Sequence, residues 1–397
     1  SARAPPMAKK ASQTAPSLQA LRKQRRQPGW TWAQLARVAA APLAAVALAV
    51  VGAPLWRRWR APTSFRQVLP VPRLSAGSPD ALRRFFERYH GKQPVVIEGA
   101  LAAWPAMNWS ASYLSSACPS ATLSVYTYDL QAADWAALKD AGSLPLSEYL
   151  AEEFGRAEAA PGGGRYGLEM SLRNECPELL EDVRIPAFFM DDLLVRHYKK
   201  GAWPTLIAGP RGSRSGLHRD THDLPFWMAL FKGRKRWRIF TPGDPALQPL
   251  FLEDRNGFAV DPFEPDLVAN PGLGAASVYE HVLEAGQLLY IPSGAPHAAF
   301  NLEDTIAISG NYLDPQGLEH HSKVTCNTSL WHDSQLCWFY DEAFAGHNAV
   351  PLEKLREVNY FQYAGFYGQA SWCADFVPFL REHSARRAVR YLATVEE

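Results

Sequence analysis

No aspartate or glutamate occurs among the first 79 residues of this 397-residue chain, whereas 13 lysines and arginines do, from Arg3 to Arg73. The remaining residues hold 28 basic and 40 acidic side chains, a net charge of −12. A basic, acid-free leader ahead of an acidic body marks a membrane-proximal or targeting segment. The acidic body also disfavours a generic nucleic-acid binder, because it would repel phosphate. Cysteine is scarce as well: Cys118, Cys176, Cys326, Cys337 and Cys373 form no CxxC pair, which argues against a structural zinc site. An odd, scattered set suits either a reduced compartment or one or two disulfides with a thiol left over. No internal repeat is visible.

Residues 1–28, rich in Ala, Gln, Pro, Lys and Arg, contain nothing from which to build a core and read as disordered; residues 1–37 form a basic leader. From Val38 to Trp56 run 19 residues without a charge, and about 20 apolar residues span a bilayer. Trp30, Trp32 and Trp56 flank the run as interfacial aromatics do. The stretch is longer than most signal-peptide cores and begins late for a cleaved signal. Residues 38–56 are therefore read as a single-pass membrane anchor, with a signal or organelle transit segment and a buried helix as alternatives. Orientation is tied, since Arg22, Lys23, Arg25, Arg26 and Arg37 precede the run while Arg57, Arg58, Arg60, Arg66 and Arg73 follow it. The sequons Asn108-Trp109-Ser110 and Asn327-Thr328-Ser329 lean the body slightly toward an endomembrane (ER–Golgi) lumen.

Residues 57–78 are Pro-rich and read as a linker. Ser78-Pro79-Asp80 opens an amphipathic helix through Tyr89, with Leu82, Phe85 and Phe86 on one face. Residues 93–97 and 123–128 read as strands, 146–154 as a helix, and 159–165, with three consecutive glycines, as a flexible loop. From Ile185 onward short strands punctuated by Gly and Pro are expected at 205–208, 216–220, 226–231, 236–241, 276–279, 287–292, 297–302 and 305–311. That spacing predicts a β-sandwich or barrel with flanking helices. Residues 326–397 read as a helical C-terminal extension.

The chemistry sits in the strand-rich part. In the expected strand Gly216-Leu217-His218-Arg219-Asp220, alternation sends His218 and Asp220 to one face. Gly294-Ala295-Pro296-His297, after an apolar run, adds a second imidazole. Two histidines and one carboxylate can form the facial triad that binds non-haem Fe(II) and leaves positions open. Alone, each piece is weak: His-x-Asp arises by chance, and a lone histidine after a strand is more often a hydrogen-bonded core residue. His222 and Asp223 are read as loop residues. In Phe231-Lys232-Gly233-Arg234-Lys235-Arg236-Trp237, one cation of a strand must face inward. An inward cation is costly unless an anion pairs with it, which a metal-chelating dicarboxylate could do. A solvated basic hairpin turn suits Lys232, Arg234 and Arg236 better than Lys235.

At this point several stretches together carry a family resemblance: Pro94-Val95-Val96-Ile97, Leu179-Leu180-Glu181-Asp182, Ile185 to Leu193, Gly209-Pro210, Ser215 to Asp220, Gly233 to Trp237, and Asn301 to Asn311. Residues from about Lys92 to Asp314 resemble a JmjC-domain 2-oxoglutarate- and Fe(II)-dependent oxygenase. The nearest likeness is the branch once called phosphatidylserine receptor, whose members act as lysyl hydroxylases and are disputed arginine demethylases. The resemblance implies a double-stranded β-helix (jelly-roll or cupin) core within a domain over 79–325. It implies that His218, Asp220 and His297 hold iron and that Lys235 grips the distal carboxylate of 2-oxoglutarate. Ser215 and Ser309 stand where the branch has threonines, Asn311 matches an asparagine near the metal, and Tyr166 matches a tyrosine hydroxyl on the co-substrate carboxylate. Met228 departs from the pattern, replacing a polar asparagine and making the pocket less polar.

The implied reaction consumes O2 and 2-oxoglutarate, releases succinate and CO2, and hydroxylates a substrate C–H bond. On an N-methyl carbon the product collapses to formaldehyde, so hydroxylase and demethylase share one site. The family points to a protein side chain as substrate and to dimerisation through the C-terminal helices. Histone demethylation is not expected, as no chromatin-reader motif is present. Two rivals remain open: a non-catalytic cupin-fold binding or scaffold protein, and a metal-dependent cupin enzyme that does not use 2-oxoglutarate. The intact triad plus Lys235 argues against the first, and Lys235 and Ser215 discriminate against the second, which needs no dicarboxylate clamp.

Overall fold

The computed structural model describes residues 62–156, 159–189 and 204–313. The larger of two principal sheets has nine strands, in the order β2 (Arg73–Ser75), β3 (Val95–Glu98), β13 (Gln287–Ile291), β8 (Phe226–Lys232), β15 (Thr305–Asn311), β7 (Thr205–Gly209), β6 (Tyr166–Ser171), β4 (Thr122–Tyr128) and β5 (Leu138–Pro145). The smaller has four: β1 (Gln67–Pro70), β12 (Ser277–Glu284), β9 (Arg234–Phe240) and β14 (His297–Asn301). A short hairpin joins β10 (Phe251–Leu252) to β11 (Gly257–Phe258).

Period-two alternation assigns the faces. On β8, Phe226, Met228 and Leu230 belong to a core shared with Trp237, Ile239 and Leu283 of the smaller sheet, whereas Trp227, Ala229 and Phe231 belong to a second core. That second core gathers Phe85, Trp104, Trp109, Leu114 and Leu146 from the helical segments. Because both faces of β8 are covered, its sequence reads as an unbroken apolar run rather than an alternating one. The inner core between the sheets is where the site residues project. This is the mostly β arrangement that the strand spacing predicts, with the jelly-roll core that the resemblance implies.

Several expectations need correction. Gly216–Asp220 is not a regular strand: its β-bridges are the isolated ones from His218 to Gly257 and to His297. Its alternation of side chains is strand-like, but Gly216 N donates instead to Ala136 O, and no ladder forms. The segment read as a linker carries β1 and β2, each pairing in parallel with one neighbour at a sheet edge. Proline is tolerated at edges, so Pro70 and Pro72 did not exclude pairing. The helix read from Asp80 to Tyr89 is α-helical over Ala81–Arg84 and widens into a π-turn over Phe85–Tyr89, which buries Phe85, Phe86 and Tyr89. The glycine-rich loop contains a 3₁₀ turn over Pro161–Gly163. There a Cβ on Gly163 would lie 2.2 Å from Gly212 O, so close packing, not flexibility, explains that glycine.

Cys118 and Cys176 form a disulfide across 58 residues of chain. The remaining three cysteines, the apolar run 38–56 and the helical extension 326–397 lie outside the described residues. Among the described residues no helix is long and apolar enough to cross a membrane.

Candidate metal centre

His297 opens β14, and His218 faces it from the irregular segment. The two exchange backbone hydrogen bonds, His218 N to His297 O (3.1 Å) and His297 N to His218 O (2.9 Å), which brings the imidazole centroids to 4.4 Å. Each ring is oriented in the same way. His218 Nδ1 lies 2.8 Å from Gly216 O and His297 Nδ1 lies 2.9 Å from Ala295 O. A carbonyl only accepts, so each Nδ1 carries a proton, and in the neutral ring Nε2 is left with the lone pair. Burial, followed by the neighbouring His297, holds the His218 imidazole well below its ordinary value, which keeps it neutral.

Asp220 completes the cluster. Its Oδ1 is 3.7 Å from Nε2 of both histidines, and its Oδ2 accepts from Asn311 Nδ2 at 3.0 Å. Burial raises the Asp220 carboxyl, while His297 and the Asn311 amide pull it back down. One donor atom from each of the three buried residues lies within 4.8 Å of the others, a geometry that could hold a metal ion. Trp135 packs edge-on against His218 at 4.4 Å between centroids and donates from Nε1 to Arg219 O.

Deeper along β9 sits Lys235, with 0% of its surface exposed. Its Nζ donates to the Tyr166 hydroxyl (2.5 Å) and to Asn301 Oδ1 (2.9 Å). Among the described residues no carboxylate lies within ion-pair distance of it. Burial alone brings its ammonium down to about 7. Asn301 is itself buried; it donates from Nδ2 to Ser213 Oγ (2.8 Å) and accepts from Thr305 Oγ1 (2.9 Å). The result is a polar network built around a cation that lacks an anion.

The expected residues thus fall into two groups. His218, Asp220, His297 and Asn311 form one cluster, and Lys235 with Tyr166 forms the other. Ser215 and Ser309 bond to neither: Ser215 Oγ accepts from Ala299 N at 3.2 Å, and Ser309 Oγ pairs with Thr205 Oγ1 at 3.4 Å. Met228 is buried and faces Ser309 across the β8–β15 ladder. His222 and Asp223 occupy a 3₁₀ turn with left-handed backbone and are not members of the triad group. Asn301 entered the sequence reading only as part of the stretch 301–311, and its role beside Lys235 escaped, although a signal was present. It lies four residues after His297 on one strand, hence on the same face, and it sits opposite Lys235 in register.

Residues 82–317 match the family described as Cupin-like domain. The chain is 26% identical over 242 residues to 2-oxoglutarate and iron-dependent oxygenase JMJD4 of Danio rerio, covering 56% of this chain and 55% of that protein. It is 25% identical over 248 residues to Arginine-specific demethylase JMJ22 of Arabidopsis thaliana, covering 57% and 43%. With Lysine-specific demethylase 8 of Danio rerio it shares 29% identity over 257 residues, covering 60% and 57%. The chain therefore spans about half the length of the curated relatives it matches.

Proposed function

The chain belongs to the Cupin-like domain family, and from that premise we propose that it is an Fe(II)- and 2-oxoglutarate-dependent oxygenase that hydroxylates, or oxidatively demethylates, a protein side chain. Lys235 carries the reading. A fully buried lysine bonded only to a phenol and an amide is stable as a cation only when an anion reaches it. The donor set fits the metal equally well, since two imidazoles and one carboxylate suit non-haem Fe(II).

The residues divide the work. His218 and His297 offer Nε2, Asp220 offers Oδ1, and Asn311 holds the other carboxylate oxygen. Lys235 Nζ and the Tyr166 hydroxyl hold the distal carboxylate of the co-substrate, and Nζ takes up the proton that makes it an ammonium. When bound, iron and 2-oxoglutarate supply the oxidising chemistry with O2. The buried inner core keeps water from the reacting centre, and Met228 gives one wall an apolar surface.

The substrate class is drawn from an acid near the triad and from the names of the relatives. Glu169 sits in left-handed backbone (φ 60°) at the β6–β7 irregularity and keeps open surface. Desolvation and then the nearby Asp220 hold its carboxyl above the usual range. Two relatives are named demethylases of arginine and lysine. Both facts favour a cationic side chain. Residues 38–56 are proposed as a membrane anchor that leaves the body in an endomembrane lumen. The Cys118–Cys176 disulfide and the exposed Asn108 of the first sequon support that side.

Anaerobic titration of the purified protein with Fe(II) and 2-oxoglutarate tests the activity. A weak visible charge-transfer band and oxygen-dependent succinate are expected, and both vanish in His218→Ala. Folded protein giving neither would leave the scaffold reading in possession.

A further inference from the structure

Two of the three metal-site residues, His218 and Asp220, ride on a segment that belongs to neither sheet, so something other than a β-ladder must fix its shape. For the histidines the fixing groups are plain: reciprocal backbone bonds join His218 to His297, and each ring leans on its own chain two residues back. Asp220 has no such bridge.

Asn256 stands beside it. The residue is 1% exposed and closes the turn between β10 and β11 in left-handed backbone, φ 48° and ψ 36°. That conformation favours asparagine or glycine over other residues. Its Nδ2 donates to Arg219 O at 3.1 Å and to Asp220 O at 3.0 Å. Its Oδ1 accepts from Arg219 Nε at 3.2 Å, and its backbone O accepts from Arg219 N at 3.0 Å. Phe258 N donates to Leu217 O at 3.0 Å, continuing the attachment upstream.

The two carbonyls held by Nδ2 belong to the peptide units on either side of Asp220. Peptide units are planar, so pinning both leaves the Asp220 Cα with little rotational freedom and fixes the direction of its Cα–Cβ bond. Each carbonyl also has a donor of its own, Trp135 Nε1 on Arg219 O and Asp223 N on Asp220 O, but the Asn256 amide alone holds both at once. A carbonyl pair needs two donors at one point, which a primary amide has and a carboxylate lacks.

We propose that Asn256 is a positioning residue for the metal centre: it sets Asp220 by clamping both flanking carbonyls, and its loss weakens metal binding before it affects the fold. This rests on reading the triad as a metal site. It also gives the β10–β11 hairpin a purpose that its small size would not suggest.

Two variants separate the parts. Asn256→Gly keeps the left-handed backbone and the main-chain bonds but deletes the amide. Asn256→Asp keeps the size but turns an acceptor toward the two carbonyls. Binding of Co(II) to the full-length protein, measured by calorimetry and by its visible d–d spectrum, reports affinity and geometry without turnover. Both variants are expected to bind roughly 10- to 100-fold more weakly, the range found when groups behind metal ligands are removed, with altered d–d bands. Wild-type affinity and spectrum in a folded variant would overturn the proposal. Loss of folding in both variants would make the contact merely structural and overturn it too. If the wild-type protein itself binds Co(II) no better than His218→Ala, the metal-site reading has failed, an outcome distinct from a normal wild type with unaffected variants.

Discussion

Lys235 decides most at the scale of single residues, and its electrostatics can be read directly. Hydrogen bonds to charged groups contribute about 1.5–3 kcal/mol, so Lys235→Ala should weaken 2-oxoglutarate roughly 10- to 150-fold. Metal affinity should change little, because Nζ bonds to Tyr166 and Asn301 and not to the triad. Parallel titrations with metal alone and with metal plus 2-oxoglutarate check the split; equal loss of both would place Lys235 elsewhere. Burial brings the lysine down to about 7, so at higher pH the empty site holds a neutral amine. Binding a carboxylate then requires proton uptake, and affinity should fall as pH rises above about 7 while remaining level below it. The same shift acts on folding with a definite sign. The folded value lies below the unfolded one, near 10.4, so between the two the unfolded chain binds more protons and stability rises with pH. Thermal melts of the co-substrate-free protein should show this rise from about pH 7 upward, and Lys235→Met should flatten it.

Elements were legible wherever burial imposed a pattern. β8 and β13 stand out as apolar runs because each has both faces covered, and β9 alternates because its odd positions, Lys235, Trp237 and Ile239, are buried while its even ones keep some surface through Arg238. The triad was legible for a related reason: two-residue spacing puts His218 and Asp220 on one side whether or not a ladder forms. What escaped was long-range partnership. Nothing local marks 216–220 as unpaired, β1 and β2 as strand-forming, or Asn256 as the distant support of 216–220, since each depends on chain more than 20 residues away. The disulfide belongs to the same class. It ties the end of the helix Ala111–Ala117 to the end of the helix Leu172–Glu175, and closing a loop of 58 residues stabilises by about 4 kcal/mol on the chain-entropy account. Denaturation with and without reductant should show a loss of up to about that size, with Cys118→Ser plus Cys176→Ser matching the reduced wild type. Coincident curves would mean the bond does not form.

For the whole molecule, charge and redox chemistry meet in one question that the proposed anchor raises: on which side of a membrane the acidic body would lie. Net charge cannot answer it, because the basic residues flanking 38–56 are balanced and the positive-inside rule counts them, not the −12 of the body. The Cys118–Cys176 pair can. Glutathione and thioredoxin keep thiols reduced in the cytosol, whereas a lumen lets a disulfide persist. Both sulfurs are buried, so once formed the bond is shielded from small reductants and once reduced the thiols are shielded from alkylation. Cells should therefore be lysed in denaturant with a maleimide already present, so that the protein unfolds into the trap before any exchange. Mass spectrometry of the digest should then recover the 118 and 176 peptides joined and unlabelled. Recovery of both as singly alkylated peptides would place the body in a reducing compartment and reverse the proposed orientation. Asn108 provides an independent arm, since it is exposed and would carry a glycan only in the lumen. An endoglycosidase-sensitive shift that disappears in Asn108→Gln is the supporting result.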